Sequence, residues 1–329
     1  MQAFESSAQD QLPADIAQVQ RIAAFSDGLE GGNPAGVWIG ATLPEAAEMQ
    51  RIAHAVGFSE TAFAAPLDPA SGQGGYRVRY FSPEAEVPFC GHATIALGAA
   101  LAAANGDGVF ALTLNDARIT VEGRRKERPD EDADEEADEG ADAGAGEGAG
   151  DGARPALTSA ALQSPPTRSA PAPQEVVERA LALFGYRQQD LDPRIPPALA
   201  HGGAGHLVLA LRSRALLAAM RYDLGAGRVF MRELGIVTVV LAWAETGTLF
   251  HTRNPFAAGG VYEDPATGAG TAALAGYLRD IGWVRDWAHG GQLDVVQGED
   301  MGMRSRLHAS FDSTPGGSIR VSGTARSME

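Results

Sequence analysis

The sequence predicts a mixed α+β protein made of two similar lobes, for three reasons. Its apolar residues switch along the chain between the period of about 2 typical of strands and the period of about 3.6 typical of helices. Its 329 residues suit two ordinary domains better than one small core. A shift of 177 residues aligns residues 86–101 with residues 263–278. The aligned segments share a Glu-x-Pro-x-x-Gly-x-x-Thr lead-in, which indicates an internal duplication.

In the first half of the chain, strand patterns precede and follow one helical pattern, and a second helical pattern comes after them. The spacing over residues 44–56 places the apolar side chains of one helix on a single face. The small-residue run over residues 88–105 predicts a second helix. The predicted apolar face of the first helix consists of Met49, Ile52, Ala53 and Val56. Strands are predicted at residues 19–25, 35–40, 61–66 and 76–81.

The second half repeats this alternation. Helices are predicted at residues 175–184, 214–220 and 271–283. Strands are predicted at residues 206–211, 237–244, 247–253, 291–297, 305–311 and 318–323. The recurrence of the order supports the interpretation that the two lobes are copies of one ancestral unit.

Residues 124–173 interrupt the pattern and predict a disordered linker. The segment begins with charged residues, continues with Gly/Ala repeats, ends rich in proline, and contains no aromatic residue. Too little apolar surface is present to offset the entropy lost on ordering. The predicted organisation is therefore an N-terminal domain over residues 18–123, this linker, and a C-terminal domain over residues 174–316.

Charge and hydropathy exclude several classes of partner. Residues 127–151 carry a net charge of −11, which leaves about −5 of the total of −16 for the rest of the chain. This acidic balance argues against nucleic acid, whose phosphates would be repelled. The longest weakly polar run, residues 94–104, is shorter than the ~20 residues of a membrane helix. No secretory signal pattern is visible in residues 1–20. From these observations together we expect a small-molecule partner, and neither a nucleic-acid nor a membrane partner.

The single cysteine, Cys90, excludes an internal disulfide framework and a multi-cysteine zinc site. It fits a reducing, cytoplasmic setting. The seven histidines are scattered, and no pair of them has the ligand spacing of a zinc enzyme. The sequence therefore predicts no metal site.

The duplicated glycine turns predict an anion-binding site at two helix starts. The first turn of a helix exposes unpaired N–H groups and the positive end of the helix dipole. Gly91 and Gly268 would let a ligand approach the backbone closely. Two such starts that face each other would hold the carboxylate of a small molecule. Phosphate is a rival ligand, but the chain has neither a Gly-Lys-Ser/Thr loop nor the dinucleotide-binding glycine spacing.

Four titratable residues lie near these turns. Glu60, in GFSETAF, is flanked by two phenylalanines, and partial burial would raise its pKa towards that of a useful base, although it could equally be a cap. His92 lies in the first glycine turn, where its role is either structural or functional. Asp264 lies at the second glycine turn, where it is either functional or an ordinary N-terminal helix cap. Cys90 is a candidate nucleophile or base because a helix start lowers the pKa of a thiol. A lone cysteine is more often a small buried apolar residue.

Four separated motifs together resemble the PhzF-like isomerase family of phenazine biosynthesis. They are, in chain order, FSDGLEGGNPAGVW, GFSETAF, RVRYFSPEAEVPFCGHATIALGAAL and GGVYEDPATGAGTAALAGYL. The resemblance covers residues 19–121 and 175–323. It implies the diaminopimelate-epimerase-like fold, with two pseudo-symmetric domains, each a curled and mostly antiparallel sheet around a central helix, and an active site in the cleft between them. It also implies that a C-terminal strand at residues 317–325 completes the first domain.

The resemblance further implies residue roles. Glu60 matches the acid/base glutamate of the family, and His92 and Asp264 match its supporting polar residues. The implied substrate-binding residues are Cys90, Gly91, Thr267, Gly268 and Ala269, and Ala269 stands where the family usually has serine. Related proteins work without a cofactor, and proteins of this fold are often homodimers, so we expect both properties here.

Three hypotheses about function remain open at this point. The leading one is a cofactor-independent isomerase of a small carboxylate, in which Glu60 removes a proton and returns it elsewhere. The second is a dehydratase or epimerase that uses Cys90 with Thr267 or with Glu60. Because Thr267 aligns with Cys90 under the internal shift, a two-thiol racemase is excluded. The third is a non-catalytic protein that binds metabolites or partners, motivated by Ala269, by the altered C-terminal motif at residues 302–305 and by the acidic segment.

Overall fold

The structure is a computed structural model that describes residues 14–67, 74–125, 157–284 and 290–328. It has two similar lobes of mixed helix and sheet, which confirms the predicted fold class. The elements that belong to the first lobe are β1 (Gln20–Ser26), β2 (Asn33–Ile39), α1 (Ala46–Val56), β3 (Thr61–Pro66), β4 (Tyr76–Phe81), β5 (Glu86–Val87), α2 (Gly91–Asn105), β6 (Gly108–Thr113), β7 (Arg118–Arg125) and β8 (Leu157–Gln163).

The elements that follow are β9 (Arg168–Pro171), α3 (Gln174–Phe184), β10 (Ala198–His201), β11 (Gly205–Ala210), α4 (Arg214–Ala218), α5 (Leu224–Leu234), β12 (Thr238–Ala244), β13 (Leu249–Phe256), β14 (Val261–Asp264), α6 (Gly268–Asp280), β15 (Gly291–Gln297), β16 (Ser305–Phe311) and β17 (Arg320–Ser327). Short 3₁₀ turns lie at Ala14–Gln18, Gln188–Asp190, Ala257–Gly259 and Glu299–Met301.

The sheet of the first lobe curls until it meets its own first strand. Its strands pair in the order β1, β2, β3, β4, β6, β7, β8, β17 and again β1. The second lobe has the order β9, β10, β11, β12, β13, β15, β16. The last strand, β17, pairs with β16 as well as with β1 and β8. It therefore ties the two lobes together.

The topology of the two lobes repeats in detail. In the first lobe β2 pairs in parallel with β3, and β4 in parallel with β6. In the second lobe β11 pairs in parallel with β12, and β13 in parallel with β15. Parallel neighbours need a crossover connection. The corresponding crossovers contain α1 and α2 in the first lobe, and α4–α5 and α6 in the second, so the duplication indicated by the sequence is present in the fold.

A small-residue helix fills the centre of each lobe. Residues 92–102 of α2 and residues 270–279 of α6 are buried. Glycine makes the tight packing possible: a Cβ at Gly123 of β7 would lie 2.2 Å from the carbonyl oxygen of Gly98 in α2. α1 lies outside the sheet and buries Met49, Ile52, Ala53 and Val56, which confirms its predicted apolar face. Among helices in the described residues, none combines the length and the hydropathy required to cross a bilayer.

The predicted disorder of residues 124–173 is wrong at the ends of that segment. Arg124 and Arg125 extend β7, and β8 and β9 are regular strands. β8 is weakly apolar, but it bonds to β7 on one side and to β17 on the other, so two backbone ladders stabilise it. Composition averaged over the segment conceals this because strand formation depends on the partners. Residues 126–156, including the whole acidic run at 127–151, lie outside the described residues.

Candidate active site

Both central helices begin without a side-chain cap. α2 follows Cys90 and α6 follows Thr267, both with extended backbones, and neither side chain bonds to the first turn of its helix. The first-turn N–H groups therefore remain available to a ligand, at the positive end of each helix dipole. Gly91 and Gly268 line the same cavity. A Cβ added at Gly91 would meet nothing within 4 Å, so this turn is open to a ligand.

Glu60 is held in place by the start of β3. Its carbonyl oxygen accepts a hydrogen bond of 3.1 Å from the N–H of Gly36 in β2. Its side chain is 15% exposed, and its Oε2 lies 3.4 Å from Nε2 of His92. The Oγ of Ser59 lies 3.3 Å from the same ring nitrogen. The fold thus brings Glu60 next to the start of α2.

His92 and Cys90 lie on either side of Gly91 and contact each other. The Nδ1 of His92 lies 3.3 Å from the Sγ of Cys90, and both residues are buried. Burial raises the pKa of the Cys90 thiol well above its usual value, and the negative charge of Glu60 raises it further. The thiolate expected at an exposed helix start is therefore disfavoured here. Cys90 is a poor base at neutral pH.

Asp264 is the last residue of β14 and lies in the turn before α6. Its Oδ1 accepts a hydrogen bond of 2.7 Å from Nδ2 of Asn33, and its Oδ2 accepts one of 2.5 Å from the hydroxyl of Thr267. Burial raises the pKa of its carboxyl to about 6, against the opposing influences of His92 and of these two hydrogen bonds. Asp264 can therefore change its protonation state near neutral pH.

Charged groups of the two lobes affect one another's pKa values. The charges of Glu60 and His92, in the first lobe, act in opposite directions on the pKa of Asp264, in the second. The charge of Asp264 in turn raises the pKa of Cys90. Coulomb interactions weaken with distance, so these effects indicate that the groups lie near one another. The predicted polar residues therefore form one cluster across the cleft.

Two members of this cluster were missed by sequence reasoning. Asn33 is buried in the first lobe and reaches across to Asp264 and to the carbonyl oxygen of Ala266 (3.1 Å). Gln297, at the end of β15, donates to the carbonyl oxygen of Asp264 (2.6 Å) and accepts from the N–H of Thr267 (3.2 Å). Asn33 lies inside the motif FSDGLEGGNPAGVW, which was a usable signal. Gln297 ends an ordinary alternating strand, and nothing in the sequence distinguishes it.

A glycine turn positions Asn33. Gly31 has a φ of +59°, and a Cβ there would lie 1.8 Å from the carbonyl oxygen of Arg304. The N–H of Gly32 bonds to that oxygen (3.1 Å). The side chain of Arg304 pairs with Asp27 (3.2 Å). The altered motif at residues 302–305 thus supports the turn before Asn33 through its backbone.

The fold also brings together possible metal ligands. One donor atom from each of Glu60, Cys90 and His92 lies within 4.8 Å of the others, a spacing that a metal ion could use. His92 directs Nδ1 at Cys90 and Nε2 at Glu60. The expectation of no metal site was derived from spacing along the sequence, and it stays a prediction.

A cavity of about 890 Å³ adjoins the cluster. Of the predicted site residues, Gly91, Gly268 and Ala269 line it. The other predicted site residues do not line it: Glu60, Cys90, His92, Asp264 and Thr267. Cys90 and His92 flank Gly91 in the chain, and Thr267 precedes Gly268, so the backbone at these positions is next to the cavity. The arrangement provides an open space with two anion-attracting helix starts, next to a buried acid, a histidine and a glutamate.

The raised pKa of Asp264 predicts a pH-dependent stability difference for Asp264→Asn. A carboxyl group whose pKa is higher in the folded state than in the unfolded state stabilises the fold. This stabilisation is complete below the unfolded pKa of 3.8, and it is lost as the pH rises through the folded pKa of about 6. Between pH 4 and pH 7, the free energy of unfolding of the variant should rise by about 2 kcal/mol relative to that of the unchanged protein. Urea denaturation at the two pH values measures this change.

Asp192→Asn is the matched control of opposite sign. The guanidinium of Arg194 lies 2.6 Å from the Asp192 carboxylate and holds the pKa of that carboxyl below its usual value. Its stabilising effect is therefore present above the unfolded pKa and is lost on acidification. The control should lose nearly the same stability at pH 7 and at pH 4, and it should lose less only as the pH falls below the ordinary pKa of 3.8. Parallel pH profiles for the two variants would contradict the raised pKa of Asp264.

Comparison with known proteins identifies the family to which the chain belongs. The sequence profile of the family described as phenazine biosynthesis-like protein matches residues 22–139 and 148–329. An uncharacterized isomerase of Deinococcus radiodurans is 31% identical over 324 residues, which cover 98% of this chain and 96% of the relative. The trans-2,3-dihydro-3-hydroxyanthranilate isomerase of Pseudomonas chlororaphis is 27% identical over 289 residues, 88% of each chain.

Solved structures show the same fold. The crystal structure of a Bacillus anthracis phenazine biosynthesis protein of the PhzF family matches with a TM-score of 0.75 at 21% identity, over 94% of this chain and 96% of that one. The profile covers both lobes, and a relative above 30% identity extends over nearly the whole chain. The chain therefore belongs to the phenazine biosynthesis-like, or PhzF, family of isomerases.

Proposed function

We propose that this protein is a cofactor-independent isomerase that moves a proton within a small carboxylate, with Glu60 as the single base. The observation that carries the proposal is the position of Glu60. Its largely buried carboxylate contacts His92 at the start of α2 and acts electrostatically on Asp264 across the cleft. A positioned general base of this kind typically contributes about 10²–10⁴ in rate.

In the proposed reaction, the carboxylate of the substrate binds the uncapped first turns of α2 and α6. Glu60 removes a proton from a carbon next to the conjugated system of the substrate. The electron pair of that C–H bond shifts the neighbouring double bond. Protonated Glu60 exchanges its proton with solvent and then delivers a proton to the carbon at which the new charge develops. The helix amides stabilise this charge because they are already oriented towards it.

The other residues of the cluster have supporting roles in this proposal. His92 orients Glu60 through the 3.4 Å contact. Asn33 and Thr267 donate hydrogen bonds to Asp264, which fixes the direction in which its carboxylate can meet the substrate. The Pseudomonas chlororaphis relative is named as an isomerase of trans-2,3-dihydro-3-hydroxyanthranilate, a small carboxylate, which supports the choice of a carboxylate substrate. We also propose the homodimer that is frequent in this fold.

The Cys90 and Thr267 alternative receives less support. Burial and the charge of Glu60 disfavour the Cys90 thiolate. The hydroxyl of Thr267 is already committed as a donor to Asp264. Neither group is therefore prepared to remove a proton.

The proposal is tested by incubating the protein in D₂O with trans-2,3-dihydro-3-hydroxyanthranilate and with other unsaturated carboxylates, and following the products by NMR. We expect a double-bond shift with deuterium at the newly protonated carbon of at least one compound. Water elimination, or inversion at a carbon without a double-bond shift, would contradict the proposed proton shift.

A further inference from the structure

The cavity extends well beyond the two helix starts. Its volume of about 890 Å³ lies near the upper end of the roughly 300–1,000 Å³ range of pockets that enclose drug-sized ligands. The carboxylate of a ligand would occupy only the end formed by Gly91, Gly268 and Ala269. The remaining space lies along the β6–β7 hairpin and β8, which supply further lining residues.

The side chains along this extension are mainly apolar and partly accessible. Ile119 of β7 and Leu162 of β8 pack against the core of the lobe, yet both keep exposed surface and line the cavity. Leu112 lies opposite Ile119 in the strand register and lines the same space. At the rim, Phe89 is 38% exposed and contacts the ring of Tyr80 edge to face. A hydrocarbon group in the cavity would cover apolar surface that water now contacts.

The floor of the cavity is also apolar in this chain. Ala269, in the first turn of α6, presents a methyl group where the resemblance places a serine hydroxyl. Ala272, one turn further along α6, lines the same space. The side chains of the floor therefore offer a ligand no hydrogen bond. The backbone N–H groups at the helix starts are still available as donors.

From these features we infer that the substrate is an amphiphilic carboxylate whose hydrocarbon chain lies along Ile119 and Leu162, with its carboxylate at the starts of α2 and α6. The inference rests on the proposed function for the position of the carboxylate, and it adds the substrate class. The cavity opens at the exposed β6–β7 turn, where Asp116 and Arg118 lie at its edge. A polar end of the hydrocarbon chain would reach solvent there.

The test uses straight-chain monocarboxylates from butyrate to decanoate as probes of binding to the full chain, by isothermal titration calorimetry. Each methylene buried in the cavity should tighten the Kd about fourfold. Ile119→Trp fills the cavity and should abolish this dependence on chain length while leaving butyrate binding unchanged. Ile119→Thr keeps the branch at Cβ but is smaller and adds a hydroxyl, so it should weaken decanoate binding several-fold without affecting butyrate.

Val109→Trp is the matched control, because Val109 lies on the neighbouring strand, is 68% exposed and does not line the cavity. It should retain the full dependence on chain length. A Kd independent of chain length in the unchanged protein would overturn the inference. So would an unchanged dependence in both Ile119 variants, with folding checked by circular dichroism.

Failure of this inference can be distinguished from failure of the proposed function, because binding is measured without turnover. A chain-length dependence that is sensitive to Ile119 supports the substrate class even where no deuterium enters any compound. Deuterium exchange without a chain-length dependence would support the isomerase and overturn the amphiphilic substrate.

Discussion

Glu60→Gln should abolish solvent-deuterium exchange into the substrate while leaving the fold intact. Glutamine has nearly the same shape as glutamate and can still contact His92, but its amide cannot accept a proton at neutral pH. If Glu60 is the base, the rate of exchange should fall by about 10²–10⁴. The measurement is NMR detection of deuterium uptake in D₂O, with circular dichroism to check the fold.

Cys90→Ala is the control for this prediction, because Cys90 is buried in the same cluster and contacts His92 as well. Its thiol has a raised pKa, so its removal should leave exchange close to that of the unchanged protein. Normal exchange in Glu60→Gln would remove Glu60 from the mechanism. A loss of exchange in Cys90→Ala alone would favour the thiol-based alternative.

The largest expected effect on stability comes from Glu263→Gln. Arg253 of β13 forms a bidentate pair with Glu263 of β14, with distances of 2.9 and 2.5 Å, and the two side chains are only 7% and 3% exposed. Removing the carboxylate leaves the Arg253 charge buried, with Asp300 at 3.9 Å as the remaining nearby anion. The free energy of unfolding should fall by about 3 kcal/mol, measured by urea denaturation.

The duplication provides the matched control for this change. Arg79 of β4 forms the same bidentate pair with Glu86 of β5, with distances of 2.8 and 2.6 Å, but its side chain and that of Glu86 are 22% and 28% exposed. Water screens this pair more strongly, so Glu86→Gln should lower the free energy of unfolding by about 1 kcal/mol or less. Equal losses for the two variants would contradict burial as the cause.

The two corresponding ion pairs explain why the sequence revealed the duplication. The aligned residues Glu86 and Glu263 have the same structural role. Each lies on the short strand that leads into a central helix, and each binds an arginine on the preceding strand. The sequence contains the glutamates at equal offsets. It does not identify their partners, because Arg79 and Arg253 lie at unequal distances from them along the chain.

Much of the remaining fold was predictable because its elements have a strong period. The alternation in Tyr76–Phe81 and the apolar face of α1 were predicted correctly. β8 and β9 were missed because each is a short segment of weak pattern inside a stretch of disorder-prone composition. Their stability depends on strands distant in sequence, as the pairing of β8 with β17 shows.

The candidate site was predictable only where a motif or the duplication marked it. Glu60, His92 and Asp264 lie in such segments, and the fold brings them together. Gln297 contributes through hydrogen bonds to residues 30 or more positions away, and Asn33 through a hydrogen bond to the other lobe. Side-chain type alone does not reveal such contacts.

The most direct test of the account is a crystal structure of the protein with bound benzoate, a simple aromatic carboxylate. We predict that the carboxylate binds between the first turns of α2 and α6, near Gly91 and Gly268. The carboxylate of Glu60 should then lie roughly 3–3.5 Å from a ring carbon. Benzoate bound away from both helix starts, or a Glu60 side chain turned towards bulk solvent, would contradict the central claim.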